Sequence, residues 1–269
     1  YVTGVELFYQ YTRQSLELAR RTGNLSDTVN ALGNLGSAAL NDGHYDQAEQ
    51  YAVESLALMR RMKNNRYLVH ELILHGLGKL LHGSLDVAKS EAENGVAMAQ
   101  AMVVPLTMAY GLAVLSAHAT LAGDYERGRQ LAADGLAMFT NPLGNCLCQW
   151  AMALACSGLD KPEVAWPALC EAMALGFNWQ LQGMLTWMLP PAAVILSRQG
   201  QLERAAELLG LYFNHPRRPV GWAEAWPLLA EKRRLLENRL GPDGFRARWA
   251  HGRSLDLLAT IEKLLDKCV

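Results

Sequence analysis

The chain has 269 residues, a formal net charge of -1 and a sequence pI of about 6.7. That balance excludes a global electrostatic pull toward nucleic acid, and the short basic groups Arg60-Arg61, Arg217-Arg218 and Lys232-Arg233-Arg234 sit among acids as solvated helix faces. The length exceeds one typical globular core, a limit that repeat arrays escape because each unit touches only its neighbours.

Residues 2–22 read as the second helix of a helical pair whose first helix is missing, because SLELARRTGN parallels SLALMRRMKN one period later. An array that starts on half a unit, at Tyr1 rather than Met, points to a piece of something longer. The stretch 30–59, NALGNLGSAALNDGHYDQAEQYAVESLALM, gives the whole unit: a helix rich in small residues, the turn Asn41-Asp42-Gly43, and a second helix with Tyr45, Ala48, Ala52 and Leu56 on one face. Neither helix can bury its apolar stripe alone.

The anchor glycine recurs. Gly43, Gly83, Gly123, Asp160 and Gly200 follow one another at about 40-residue steps. A small residue stands seven positions before each anchor (Gly36, Gly76, Ser116, Ala153, Ala193) and another five after it (Ala48, Ala88, Gly128, Ala165, Ala205). The expected pairs are 27–42 with 45–63, 66–82 with 85–102, 105–122 with 125–140, 144–157 with 162–176, and 181–199 with 202–213. Pro105, Pro142 and Pro162 stand near helix starts, while Pro190-Pro191 falls inside a helix pattern and should kink or shorten it. After Asn214, HPRRP breaks the pattern. A helix over WAEAWPLLAEKRRLLENRLG and two shorter ones follow, with Ser254 as an N-cap.

The run ALGNLG...GHYDQA resembles the tetratricopeptide family in a longer form of roughly 40 residues, over about residues 5 to 213. The resemblance implies an all-α, right-handed α-α superhelix: a half repeat and five helix pairs over 1–213, with a helical cap over 214–269. Phe245, Trp249, Gly252, Arg253 and Leu255 carry a second resemblance, over about 60 residues. They are similar to the C-terminal end of the helical-repeat arm in bacterial signal-transduction ATPases and LuxR-type transcription regulators. This implies a cytoplasmic, non-enzymatic sensor arm whose partners are a protein or peptide, a small-molecule effector, or ATPase and DNA-binding modules outside this chain. The alternative is a freestanding adaptor that takes a partner's peptide in its groove.

In such arrays the first helix of each pair lines the concave face. Transferring the inward positions of the family gives Asn30, Asn34, Ser37 and Asn41 in the first pair, His70 in the second, Tyr110 in the third, Trp150 in the fourth and Trp187 in the fifth, as the expected ligand- or peptide-binding groove. Asn30 and Asn34, one turn apart, suit a peptide backbone, and the later positions suit apolar or aromatic contact.

No catalytic site, metal or cofactor is expected. His70 and His75 of HELILH resemble a zinc-protease motif but are one residue too far apart, which turns the imidazoles about 140° from each other on a helix. HGLGKLLHG lacks the spacing and the Ser or Thr of a phosphate loop. The five cysteines form no ligand pattern, and their odd count suggests reduced thiols. Between Asn94 and Ser197 only nine of 104 residues are charged. Pro105, Gln100, Thr107 and His118 argue against a membrane span there, and the repeat register makes these helices the middle of the stack.

Overall fold

A computed structural model describes residues 4–62, 65–138 and 141–268. Among them every regular element is a helix. The ends expected at 2–3, 63 and 139–140 lie outside the described residues. The half repeat is α1 (Gly4–Thr22), and the pairs are α2 (Leu25–Asp42) with α3 (Tyr45–Met62), α4 (Asn65–Leu81) with α5 (Leu85–Ala101), α6 (Pro105–Leu121) with α7 (Tyr125–Ala137), and α8 (Pro142–Gly158) with α9 (Pro162–Asn178). In the fifth pair the first helix is broken at Met188 into α10 (Gln182–Trp187) and α11 (Leu189–Arg198), with Pro190-Pro191 opening the second piece, and α12 (Leu202–Asn214) completes it. Consecutive helices pack on one another throughout, as an α-α repeat solenoid requires.

The period has a mechanical origin. All five anchors adopt the left-handed conformation, with φ of 80° at Gly43, 78° at Gly83, 87° at Gly123, 56° at Asp160 and 78° at Gly200. In each turn the next residue's N–H reaches back to the same helical carbonyl: His44 to Ala39, Ser84 to Lys79, Asp124 to Ala119, Lys161 to Cys156 and Gln201 to Leu196, at 2.7 to 3.0 Å. This closure satisfies carbonyls that the helix end leaves free. The two small positions face each other across each pair. A Cβ on Gly76 would sit 3.2 Å from the Ala88 carbonyl, and Ser116 Oγ donates to the Gly128 carbonyl at 2.7 Å. Larger side chains there would separate the backbones.

The C-terminal region departs from expectation. WAEAW is not helical, and α13 (Pro227–Arg253) starts only at Pro227 and kinks at Gly241, where φ is 71° and ψ 162°. Ser254 ends α13 rather than capping the next helix. Asp256 caps α14 (Leu257–Leu265), its side chain accepting from the Ala259 N–H at 2.8 Å. The α12–α13 contact explains the shared glycines: a Cβ on Gly252 would lie 2.1 Å from the Glu207 carbonyl, and one on Gly210 2.4 Å from that of Trp249. Trp249 stacks on Phe213 at 5.5 Å, and Arg233 covers its face at 4.9 Å.

Residues 215–226 turn back along the inside of the array and fill it. The Trp222 backbone N–H donates to the Leu81 carbonyl at 3.2 Å, and Gly221, at φ 138°, lies so close to His82 that a Cβ would meet its carbonyl carbon at 2.3 Å. Trp222 is fully buried between Trp150 (5.4 Å, edge-on) and Trp226 (6.3 Å, stacked). Burying roughly 200 Å² per indole contributes at most about 5 kcal/mol each. The strap belongs to the main core cluster, which runs from Ala39 to Leu264, while Leu16, Ala31, Leu32 and Leu35 form a second one at the N-terminal end. The charge-poor middle is where α6, α8 and α11 bury most of their residues, and the strap meets it at Trp150 of α8. Among the described residues no helix is long and apolar enough to cross a membrane.

The expectation of reduced thiols fails at two positions. Cys170 on α9 and Cys268 beyond α14 form a disulfide with Cα atoms 5.9 Å apart, and only Cys146, Cys148 and Cys156 are free and buried. Fold proximity, invisible in the spacing, made the pair. Cys146 and Cys148 point apart, toward the carbonyls of Ala172 and Ala109 respectively, and burial pushes both thiols up to about 12.

Candidate functional site

The strap redistributes the expected groove residues. Trp150 and Trp187 are fully buried. Trp150 Nε1 donates to the Trp187 carbonyl at 3.2 Å, the two rings lie 5.6 Å apart, and Trp187 Nε1 donates to Tyr45 Oη at 2.8 Å, which in turn donates to the Arg217 carbonyl at 3.1 Å. They bind the chain's own strap and are core, not ligand contacts. Tyr110 is likewise buried, and burial pushes its hydroxyl up to about 12. His70 leans on that ring at 5.7 Å, and burial lowers its imidazole below the ordinary value. His75 turns instead to Glu91, 2.7 Å away on α5, so the two histidines of HELILH do not meet. Among the described residues no group of three metal-ligating side chains forms.

What stays open is the N-terminal end. The superhelix curls until α10 meets α2: a Cβ on Gly183 would lie 2.5 Å from the Gly43 nitrogen and 2.7 Å from the Asn41 carbonyl. Beside this closure runs a cleft of about 320 Å³ lined by Phe8 of α1, Asn34, Ser37 and Asn41 of α2, and Trp179 to Leu181 of the α9–α10 turn. Three of the eight expected residues are thus brought together. Asn30 lies one turn earlier on α2, exposed but outside the lining. Asn34 is exposed rather than packed into the turn between repeats.

Asp42 and Gln180 also line a wider polar space of about 900 Å³, together with Gln10, Arg13 and Gln14 of α1, Gln182 and Arg217. Arg217 is held by Gln182 Oε1 at 2.5 Å and by its place in the strap. Burial, and then the Asp42 carboxylate, push the Tyr9 hydroxyl above its ordinary value, so it stays protonated at neutral pH. Seven amides, Gln10, Gln14, Asn34, Asn41, Gln47, Gln180 and Gln182, line the two spaces beside the charged Arg13, Glu17, Asp42 and Arg217, and each amide offers a donor and an acceptor.

Two aromatic rings stand free at the rim, Phe8 at 44% and Trp179 at 61% exposure. The repeat pattern misses both, since one lies on the half repeat and the other in a turn. The signal for Trp179 is the turn itself: Gln180 sits at φ 56° and Leu181 closes back on Gly176 at 2.8 Å, which holds the indole outward. Nor did periodicity mark Trp222 and Trp226, because WAEAW reads as the start of a helix. No protein-family model matches the chain, and no curated protein sequence matches it significantly.

Proposed function

We propose that this chain is a non-enzymatic interaction arm that holds an extended peptide of a partner protein in the cleft between α1, α2 and the α9–α10 turn. The observation that carries the reading is the pairing of an amide-lined floor with two exposed aromatic rings on its rim. Asn34, Asn41, Gln180 and Gln182 suit the donors and acceptors of a peptide backbone, and Phe8 and Trp179 suit an apolar side chain of the same peptide. The C-terminal resemblance supports reading it as the arm of a bacterial transcription regulator or signal-transduction ATPase. In that setting the peptide belongs to another module of the parent protein or to its partner. Occupancy of the cleft then shifts the population of docked and free arms.

Trp179 supplies the assay, being the most exposed of the seven tryptophans. Peptides tiled across the rest of the parent protein should include one that shifts its emission to the blue and protects it from acrylamide. Trp179→Ala should weaken that peptide at least about tenfold, as a rim anchor of about 2 kcal/mol requires. Equal affinity for the variant, or no peptide that alters Trp179, sinks the reading. A phosphate-binding loop elsewhere in the parent gene supports the regulator, and its absence supports a freestanding adaptor using the same cleft.

A further inference from the structure

The last helix rests on two neighbours and one covalent bond. α14 is nine residues long, too short to keep its shape alone in water, and it packs on α9 and α10 with Leu257, Ile261 and Leu264 buried. Beyond its end Cys268 is bonded to Cys170 of α9, and the Lys267 carbonyl accepts from Trp166 Nε1 at 3.5 Å. Trp166 and Cys170 stand four residues apart on one face of α9, so both bonds grip the same stretch of the tail. The remaining tie, from Lys267 Nζ to Gln201 Oε1 at 3.2 Å, is exposed and competes with water.

α9 and α10 are also the helices on either side of the peptide cleft's rim. Trp179 follows directly on α9, and Gln182, which lines the polar space and holds Arg217, opens α10. A clamp across both helices therefore restrains the turn between them. Among the described residues the bridge is also the sulfur centre most open to exchange. Cys146, Cys148 and Cys156 are buried, and burial raises all three thiols, which keeps them protonated and poor nucleophiles. Within the bridge Cys170 is buried but Cys268 only half-buried, so an incoming thiolate meets Cys268 Sγ first.

We infer that the Cys170–Cys268 bridge is a thiol–disulfide switch: closed, it clamps α14 across α9 and α10, and opened by a dithiol it frees α14 and loosens the α9–α10 turn. A thiolate of the dithiol attacks Cys268 Sγ, the S–S bond breaks, and Cys170 leaves as a thiolate that takes a proton. The dithiol's second thiolate then attacks its own sulfur in the mixed disulfide and releases Cys268, so that two electrons have passed to the protein and the dithiol ends as a cyclic disulfide. Glutathione disulfide reverses the exchange, taking the two electrons back as two molecules of glutathione. The consequence for peptide affinity rests on the peptide reading of the cleft; the release of α14 does not.

Hydrogen exchange and peptide binding are measured on the whole chain, oxidised and after reduction by dithiothreitol under native conditions. On reduction α14 should lose nearly all its protection and residues 179–187 part of theirs, while α6 and α8 keep most of theirs. Trp166 should open to acrylamide, and glutathione disulfide should restore the first state. Cys268→Ser should show the reduced pattern with or without dithiothreitol. The peptide that shifts Trp179 emission should bind the reduced chain at least about fivefold more weakly, the low end of allosteric coupling. A bridge that opens only in denaturant, protection retained in α14, or an equal loss over every helix makes the bridge a passive staple and overturns the proposal. Loss confined to α14, with residues 179–187 and peptide affinity unchanged, overturns the link to the cleft. Should Cys268→Ser fail to fold, the reduced wild type decides; if no peptide binds in either state, the peptide reading fails while hydrogen exchange still judges the switch.

Discussion

Glu71 gives the sharpest test of the energetics, through Glu71→Gln. Folding moves its carboxyl from 4.5 to about 7, with burial the sole cause. The native state therefore holds a proton that the unfolded state has lost between those two values. Stability must fall as pH rises through that window, and the penalty is complete above about 7. At about 1.4 kcal/mol per pH unit the gap amounts to about 3 kcal/mol. Glutamine keeps the shape and removes the charge. Urea titrations from pH 4 to 8.5 should show the two proteins equally stable at the acid end, with the Gln variant ahead by up to about 3 kcal/mol at the alkaline end. A difference independent of pH, or a wild type that gains on the variant as pH rises, would refute the claim that burial raises the Glu71 carboxyl.

Three further substitutions probe the strap and the disulfide. Trp222→Ala removes an indole that is fully buried against Trp150 and Trp226, and should cost about 3–5 kcal/mol in urea unfolding, with new quenching of the remaining tryptophans by acrylamide. Tyr45→Phe deletes the acceptor of Trp187 Nε1 and the donor to Arg217. The orphaned indole N–H should cost about 1–3 kcal/mol, visible as a lower urea midpoint with an unchanged slope. Cys268→Ser opens a loop of 98 residues and should lower stability by about 2–4 kcal/mol. Dithiothreitol should produce the same loss in the wild type and none in the variant.

The repeat was fully legible because it is a local matter. A left-handed turn needs a glycine or a tolerant substitute, and two helices that approach closely need small residues at fixed offsets, so chain spacing alone located α2 to α12. The break at Pro190-Pro191 was equally local. Asn34, Ser37 and Asn41 were found for the same reason, being neighbours on one helix face that the closed ring leaves open.

What the inner face touches was decided only in three dimensions. Trp150 and Trp187 carry the same inward periodicity whether a ligand or the chain's own residues 215–226 lie against them, and nothing local distinguishes the two. The strap runs there because Trp222 and Trp226 would otherwise stand in water, and because Gly221 lets the backbone pass against His82. Cys170 and Cys268 likewise become partners only once α14 docks on α9. Sequence thus specified the helical unit, through steric rules that act within a few residues. Closure of the array, the filling of its channel and the burial of Glu71 beside His75 depended on contacts between distant segments, whose free energies no single stretch of chain contains.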